Sequence, residues 1–260
     1  MGQPVLSLLF GSLIGFTLGL LGGGGSILTV PILVYVIGQD VHAATGTSLA
    51  IVGTSALLGA IAHGRRGNVR LKGGMAFGII SMLAAQPGVW LNRLVAGKVI
   101  LLLFGCLMFV VGTRMVRRKT PPRPPDGAGG GLGTYAPKEW AQLLGLGGVV
   151  GLLTGFFGIG GGFLIVPALV LAGRFPAHDA VGTSLLIIAM TSASGLLGYL
   201  RFGAVDLGVV GMFVLGGAAG ILLGTALAGL MPERTLARAF GWFIILVAVY
   251  VVFQNAGFRA

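Results

Sequence analysis

The sequence predicts an all-α polytopic membrane protein made of two homologous four-element helical repeats, the first element of each broken or re-entrant at a Gly-rich loop. Three observations carry that prediction. The 260 residues are 55% hydrophobic and only 9% charged, against about 25% charged in a soluble domain, so polar groups could not cover a water-facing surface. Two glycine runs, Gly22-Gly23-Gly24-Gly25-Ser26 and Gly158-Ile159-Gly160-Gly161-Gly162, each interrupt an apolar stretch and lead into Val-Pro. Finally, the second half repeats the first without a gap at an offset of 136, the distance from Pro31 to Pro167.

In chain order, Val5 to Leu21 is apolar and uncharged, the first glycine run follows, and a second apolar piece covers Ile27 to Ile37. Together they exceed one crossing of about 20 residues, and each alone is short, so the pair reads as a kinked crossing or a re-entrant hairpin. With no basic segment ahead of it, the first apolar stretch reads as a retained membrane helix and not as a cleaved signal. After polar Gln39-Asp40-Val41-His42, a helix is expected from Ala43 to Ala62, bearing Thr45, Thr47, Ser48, Thr54 and Ser55. The basic loop 63–72 holds Arg65, Arg66, Arg70 and Lys72, and further helices are expected from about Gly74 to Leu94 and Val99 to Val116. Within the first of these, Gln86-Pro87-Gly88 is a polar spot where proline disturbs the helical hydrogen bonding. Residues 117–137 are rich in proline and glycine and read as a flexible cytoplasmic linker between membrane repeats 1–116 and 138–260.

The offset of 136 pairs Gly19 with Gly155, His42 with His178, Gly46-Thr47-Ser48 with Gly182-Thr183-Ser184, and Arg65-x-Gly67 with Arg201-x-Gly203. Chance likeness among apolar helices would not keep glycine, proline, histidine and arginine in step, so the halves are duplicates. The loop at 63–72 is strongly basic, whereas its counterpart holds Arg201 and Asp206, which cancel. That loss of positive charge favours inverted halves, each with three crossings after a hairpin, over a parallel repeat of four crossings.

Composition also limits the chemistry. The net charge of +11, from 17 basic and 6 acidic residues, belongs to topology and anionic lipid rather than to nucleic acid. The single cysteine, Cys106, rules out a disulfide framework or a cysteine-rich metal site. Asp40, Asp126, Glu139, Asp179, Asp206 and Glu233 all lie outside the apolar segments, which argues against a cation pump or metal carrier. With three histidines and no His-Glu pairing, an intramembrane protease is not supported, and neither an enzymatic activity nor a cofactor is expected.

Hydroxyls, backbone amides and helix ends remain, and these suit an anion. Helix breaks at membrane depth are tolerated where they are packed in protein or line a cavity. Each helix that follows a break turns its electropositive N-terminus toward it. The candidate binding residues are therefore Gly24, Gly25 and Ser26 with Gly160, Gly161 and Gly162, joined by Thr47, Ser48, Thr183 and Ser184. Close helix packing is the competing reading for the glycines, and bonding back to their own helix is the competing reading for the hydroxyls. His42 and His178, beside Asp40 and Asp179, are candidates for proton coupling or for simple capping. Arg65 and Arg201, at helix ends, either contact headgroups or gather anions at opposite mouths.

The twin breaks ending in Val-Pro, each followed by His-x-Ala-x-Gly-Thr-Ser (His42 to Ser48, His178 to Ser184), resemble the sulfite exporter TauE/SafE family of membrane permeases. The resemblance covers both halves and implies a transporter of small organosulfur anions such as sulfite, sulfoacetate and other sulfonates. It implies a multi-pass protein of the bacterial cytoplasmic (inner) membrane working by alternating access. The expected partners are a small anionic substrate, protons and membrane lipid, with a homodimer among the permitted assemblies. A passive anion channel and a non-transporting scaffold subunit are the alternatives.

Overall fold

In the computed structural model, residues 2–117, 137–158, 162–171, 175, 177–201 and 205–255 are described, and among them the chain is helical with no strand. The first half contains α1 (Gly2–Leu21), α2 (Gly24–Tyr35), α3 (Val41–Gly64), α4 (Leu71–Leu94) and α5 (Gly97–Arg117). The second contains α6 (Pro137–Phe157), α7 (Gly162–Leu171), α8 (Ala177–Leu200), α9 (Leu207–Ala228) and α10 (Glu233–Asn255). Most of the linker read at 117–137 lies outside the described residues. Five helices, α3, α4, α5, α8 and α9, are long and apolar enough to cross a membrane. Their outer faces carry Leu83, Leu215 and Trp90 at 71%, 69% and 64% exposure, which only lipid can cover without cost. The chain is a multi-pass membrane protein.

The predicted break is real, and it is narrower than the glycine run. Helix α1 ends at Gly22, whose φ of 74° is a left-handed conformation that stops a helix, and Gly22 N–H donates to Leu18 O at 2.8 Å. Its counterpart Gly158 has φ 67° and donates to Thr154 O at 2.9 Å. Gly24, Gly25 and Ser26, expected within the loop, instead form the first turn of α2, with Gly23 as its N-cap. Gly25 lies against Ile14 O and Leu18 of α1. Residues 14 and 25 would stand about 16 Å apart along a straight helix, so α2 folds back on α1. A missing Cβ at Gly25 permits this approach, which offsets the roughly 1 kcal/mol that glycine costs in a helix. Pro31 sits inside α2, and Pro87 inside a continuous α4.

Helix directions follow from which residues meet. Gly53 of α3 faces Ser192 of α8, Gly59 faces Leu185, and Leu49 faces Gly195, so α3 and α8 run antiparallel. Helices α5 and α10 are also antiparallel, with Gly105 at Val252 and Gly112 at Ile245. By contrast α1 runs parallel to α9, with Gly11, Gly15 and Gly19 against the backbones of Phe213, Gly217 and Ile221. In the same way α6 runs parallel to α4, with Gly147, Gly151 and Gly155 against Phe77, Ser81 and Ala85. These four-residue glycine spacings let backbones touch, the commonest reason for small residues between membrane helices.

Candidate functional site

The two breaks meet. A Cβ on Gly162, the first residue of α7, would fall 2.6 Å from Gly23 Cα, so the N-terminus of α7 abuts the N-cap of α2. Gly24, Gly25, Ser26 and Gly162 are buried. Two helix N-termini, each worth about half a positive charge, therefore converge inside the protein. Neither helix has an acidic residue in its first turn, and among the described residues no cluster of acidic, histidine or cysteine groups could hold a metal. Gly160 and Gly161 lie outside the described residues.

Each half's hydroxyl triplet is turned toward the other half. Ser48 donates to Gly158 O at 2.5 Å, closing over the second break. Ser184 stands at the first break, where a Cβ on Gly22 would lie 2.8 Å from its Oγ, and it donates to Val181 O of its own helix. Thr47 accepts from Asp206 N, the N-cap of α9, and Thr183 accepts from Arg70 N, the N-cap of α4. Positions 70 and 206 are themselves repeat partners, so the two clasps are equivalent. Ser26 spends its proton on Gly23 O at 2.7 Å, while Thr45 and Thr54 bond back to their own helix.

The other candidates lie further out. Asp40 caps α3 by accepting from His42 N, and His42 Nδ1 is 2.9 Å from Asn92 Oδ1. Buried Asn92 in turn donates to Phe156 O at 2.6 Å, just before the second break. His178 is half-buried in the first turn of α8. Arg65 and Arg201 are exposed at the ends of antiparallel α3 and α8, hence at opposite ends of that pair. Gln86 ties α4 to α8 by donating to Ser194 O and Oγ.

Three features escaped the sequence reading. Arg70 pairs with Asp179 through Nη2 at 2.6 Å and Nε at 2.7 Å, pinning the basic loop over the start of α8. Arg66 donates to Thr225 O near the end of α9. The third is a matched pair at positions 63 and 199. His63 Nε2 lies 3.0 Å from Gly19 O, and Tyr199 Oη donates to Gly155 O at 3.2 Å. The offset of 136 links His63 to Tyr199 and Gly19 to Gly155. That repeat was the available signal, hidden because the two side chains differ.

An apolar-faced helical bundle enclosing two helix breaks fits a membrane transporter of the permease class. Comparison with known proteins agrees: the family model described as sulfite exporter TauE/SafE matches residues 7–251, and the chain belongs to that family. A protein named probable membrane transporter protein from Xylella fastidiosa (strain 9a5c) is 41% identical over 249 residues, 94% of this chain and 93% of that one. Another, the probable membrane transporter protein YdhB of Bacillus subtilis, is 28% identical over 87% of this chain and 91% of its own. No solved structure matches.

Proposed function

We propose that the chain is a secondary transporter for small organosulfur anions, such as sulfite, sulfoacetate or other sulfonates, in the bacterial cytoplasmic membrane. The observation that carries this reading is the meeting of two uncompensated helix N-termini at Gly23 and Gly162. Backbone N–H groups at the start of α2 (Gly24, Gly25 and Ser26) and of Gly162 at the start of α7 suit oxygens of a sulfonate, with Gly160 and Gly161 as the sequence candidates beside them. Such a site attracts an anion without a fixed full charge, so the ligand can leave again. Ser48 and Ser184 sit at the breaks as further contacts, while Thr47 and Thr183 hold the opposing loops.

In this reading the halves are an inverted repeat, each a hairpin followed by three crossings. Support comes from the antiparallel pairing of α3 with its counterpart α8 and of α5 with its counterpart α10. The basic loop 65–72 and the linker then share the cytoplasmic side, and Arg65 and Arg201 serve opposite mouths. Alternating access is a rocking of one half against the other around the paired breaks.

The test is thermal unfolding of purified protein with sulfite, sulfoacetate, taurine and divalent cations, followed by exchange in proteoliposomes. Anions are expected to raise the unfolding temperature, through a stabilisation of about 2.7 kcal/mol at a hundred times Kd. Saturable exchange of internal for external sulfoacetate is expected too. A shift with divalent cations alone overturns the anion site, and flux that neither saturates nor exchanges leaves a channel.

A further inference from the structure

His63 is 2% exposed, at the last turn of α3. The carbonyl of Gly19 can only accept, so the hydrogen bond at Nε2 fixes the ring proton there. Nδ1 is then a bare lone pair, enclosed and without a partner among the described residues. An unsatisfied buried acceptor costs about 1–3 kcal/mol. Its position is not peripheral. Gly19 lies three residues before Gly22, and Gly182, against which the His63 Cβ packs, lies beside Val181 and Ser184 at the same break.

The charged and titratable groups facing the ring are Arg66 from the following loop and His178 from α8. Asp179, the only acid on α8, is held by Arg70, and α1 and α9 carry no ionisable side chain in their described helices. Among the described residues, no free acidic side chain on these elements is available to accept from Nδ1 once it is protonated. An incoming anion supplies that acceptor. At the other break the equivalent position is Tyr199, 1% exposed, whose one proton already goes to Gly155 O. A phenol keeps its proton throughout the physiological range.

We propose that His63 carries the proton that moves with the anion, and that the break at Tyr199 is proton-silent, so coupling operates from one side of the protein only. This rests on the transporter reading above and supplies its coupling ion. Nδ1 takes a proton from water on the His63 side, donates it as a hydrogen bond to an oxygen of the anion, and returns it to water when the anion leaves. One proton and one anion enter and leave together, and the neutral ring is restored.

The probe is sulfoacetate, which stays ionised between pH 6 and pH 8 and so brings no titrating proton of its own. Vesicles containing the full-length protein and an enclosed pH-sensitive dye report anion entry and proton entry together. For the wild type, net uptake is expected to run about 25-fold faster or more at pH 6 than at pH 8, with a matching dye signal. His63→Tyr, which copies the arrangement of the other half, should bring that ratio to about one and abolish the dye signal. Its sulfoacetate exchange should persist at a reduced rate that no longer depends on pH between 6 and 8. Should His63→Tyr fold poorly, Tyr199→His serves instead and is expected to create a pH response on the opposite face. A His63 variant that keeps both pH ratio and dye signal overturns the proposal, as does Tyr199→His without the added response. Wild-type exchange with no proton movement overturns the proposal and leaves the transporter reading standing, whereas a wild type that exchanges no anion overturns both.

Discussion

The two halves share their backbone devices and differ in their side chains. Both end the first helix with a left-handed glycine, Gly22 and Gly158. Both close the next loop with one equivalent hydrogen bond, Gln39 N to Leu33 O and Phe175 N to Leu169 O. Both clasp the opposing N-cap with a threonine. Yet Asn92, Arg70, Asp179 and His63 stand opposite Ala228, Asp206, Ala43 and Tyr199. In the proposed transporter the break geometry is needed twice, because two helix N-termini would build one site. In that proposal the flanking side chains would serve opposite ends and be free to diverge, and their divergence would give a symmetric scaffold a direction.

The largest effect should come from the shared devices. Gly158→Ala forces a left-handed residue and a contact with Thr45 O at 2.6 Å, so it is expected to cost about 3–5 kcal/mol. Gly22→Ala, whose nearest neighbour is the rotatable Ser184 hydroxyl at 2.8 Å, should cost about 2–3 kcal/mol. Thermal unfolding in detergent checks the order, and equal losses would mean that the second break is not the tighter one. Next comes Asn92→Ala, which makes the first half resemble the second at that position. It leaves Phe156 O and the His42 ring without their partner and should cost about 1–3 kcal/mol by the same measurement.

Smaller still is the Arg70–Asp179 pair, with side chains 28% and 18% exposed. A double-mutant cycle with alanine should return a coupling of about 1 kcal/mol, lower at high salt. Smallest of all is Gly148→Ala. Its repeat partner Ser12 donates to Gly216 O at 3.0 Å, but nothing lies within 4 Å of a Cβ at Gly148. Stability should stay level or rise by up to about 1 kcal/mol, through helix propensity. A large loss would mean that this face of α6 is packed.

The crossings and the breaks were legible in the sequence because apolar length and glycine clusters are local signals. Helix α4, expected from about Gly74 to Leu94, ends where predicted and begins three residues earlier. Less legible was the start of α2. Gly24 to Ser26 look like loop by composition, and only their approach to α1 makes them helix. The glycines spaced by four in α1, α6 and α9 carried their message in plain view, but which helix each one faces is a tertiary fact. Arg70 read as one charge among several, since nothing local says that it reaches Asp179 more than a hundred residues on. His63 and Tyr199 were missed for a subtler reason. A repeat is found through identical residues, and function here is inferred from a position where the repeat fails.

The parallel seating of α1 on α9 has a consequence for how the protein is made. Gly11, Gly15 and Gly19 are translated first, while Phe213, Gly217 and Ile221 emerge some two hundred residues later. At about 5–20 residues per second the earliest helix waits roughly 10–40 s for its mate. During that interval its glycine-lined groove must be shielded by the insertion machinery or by lipid. A chain halted before Leu207 would therefore hold α1 to α8 with no permanent neighbour for the opening helix along that seam, a ready substrate for membrane quality control.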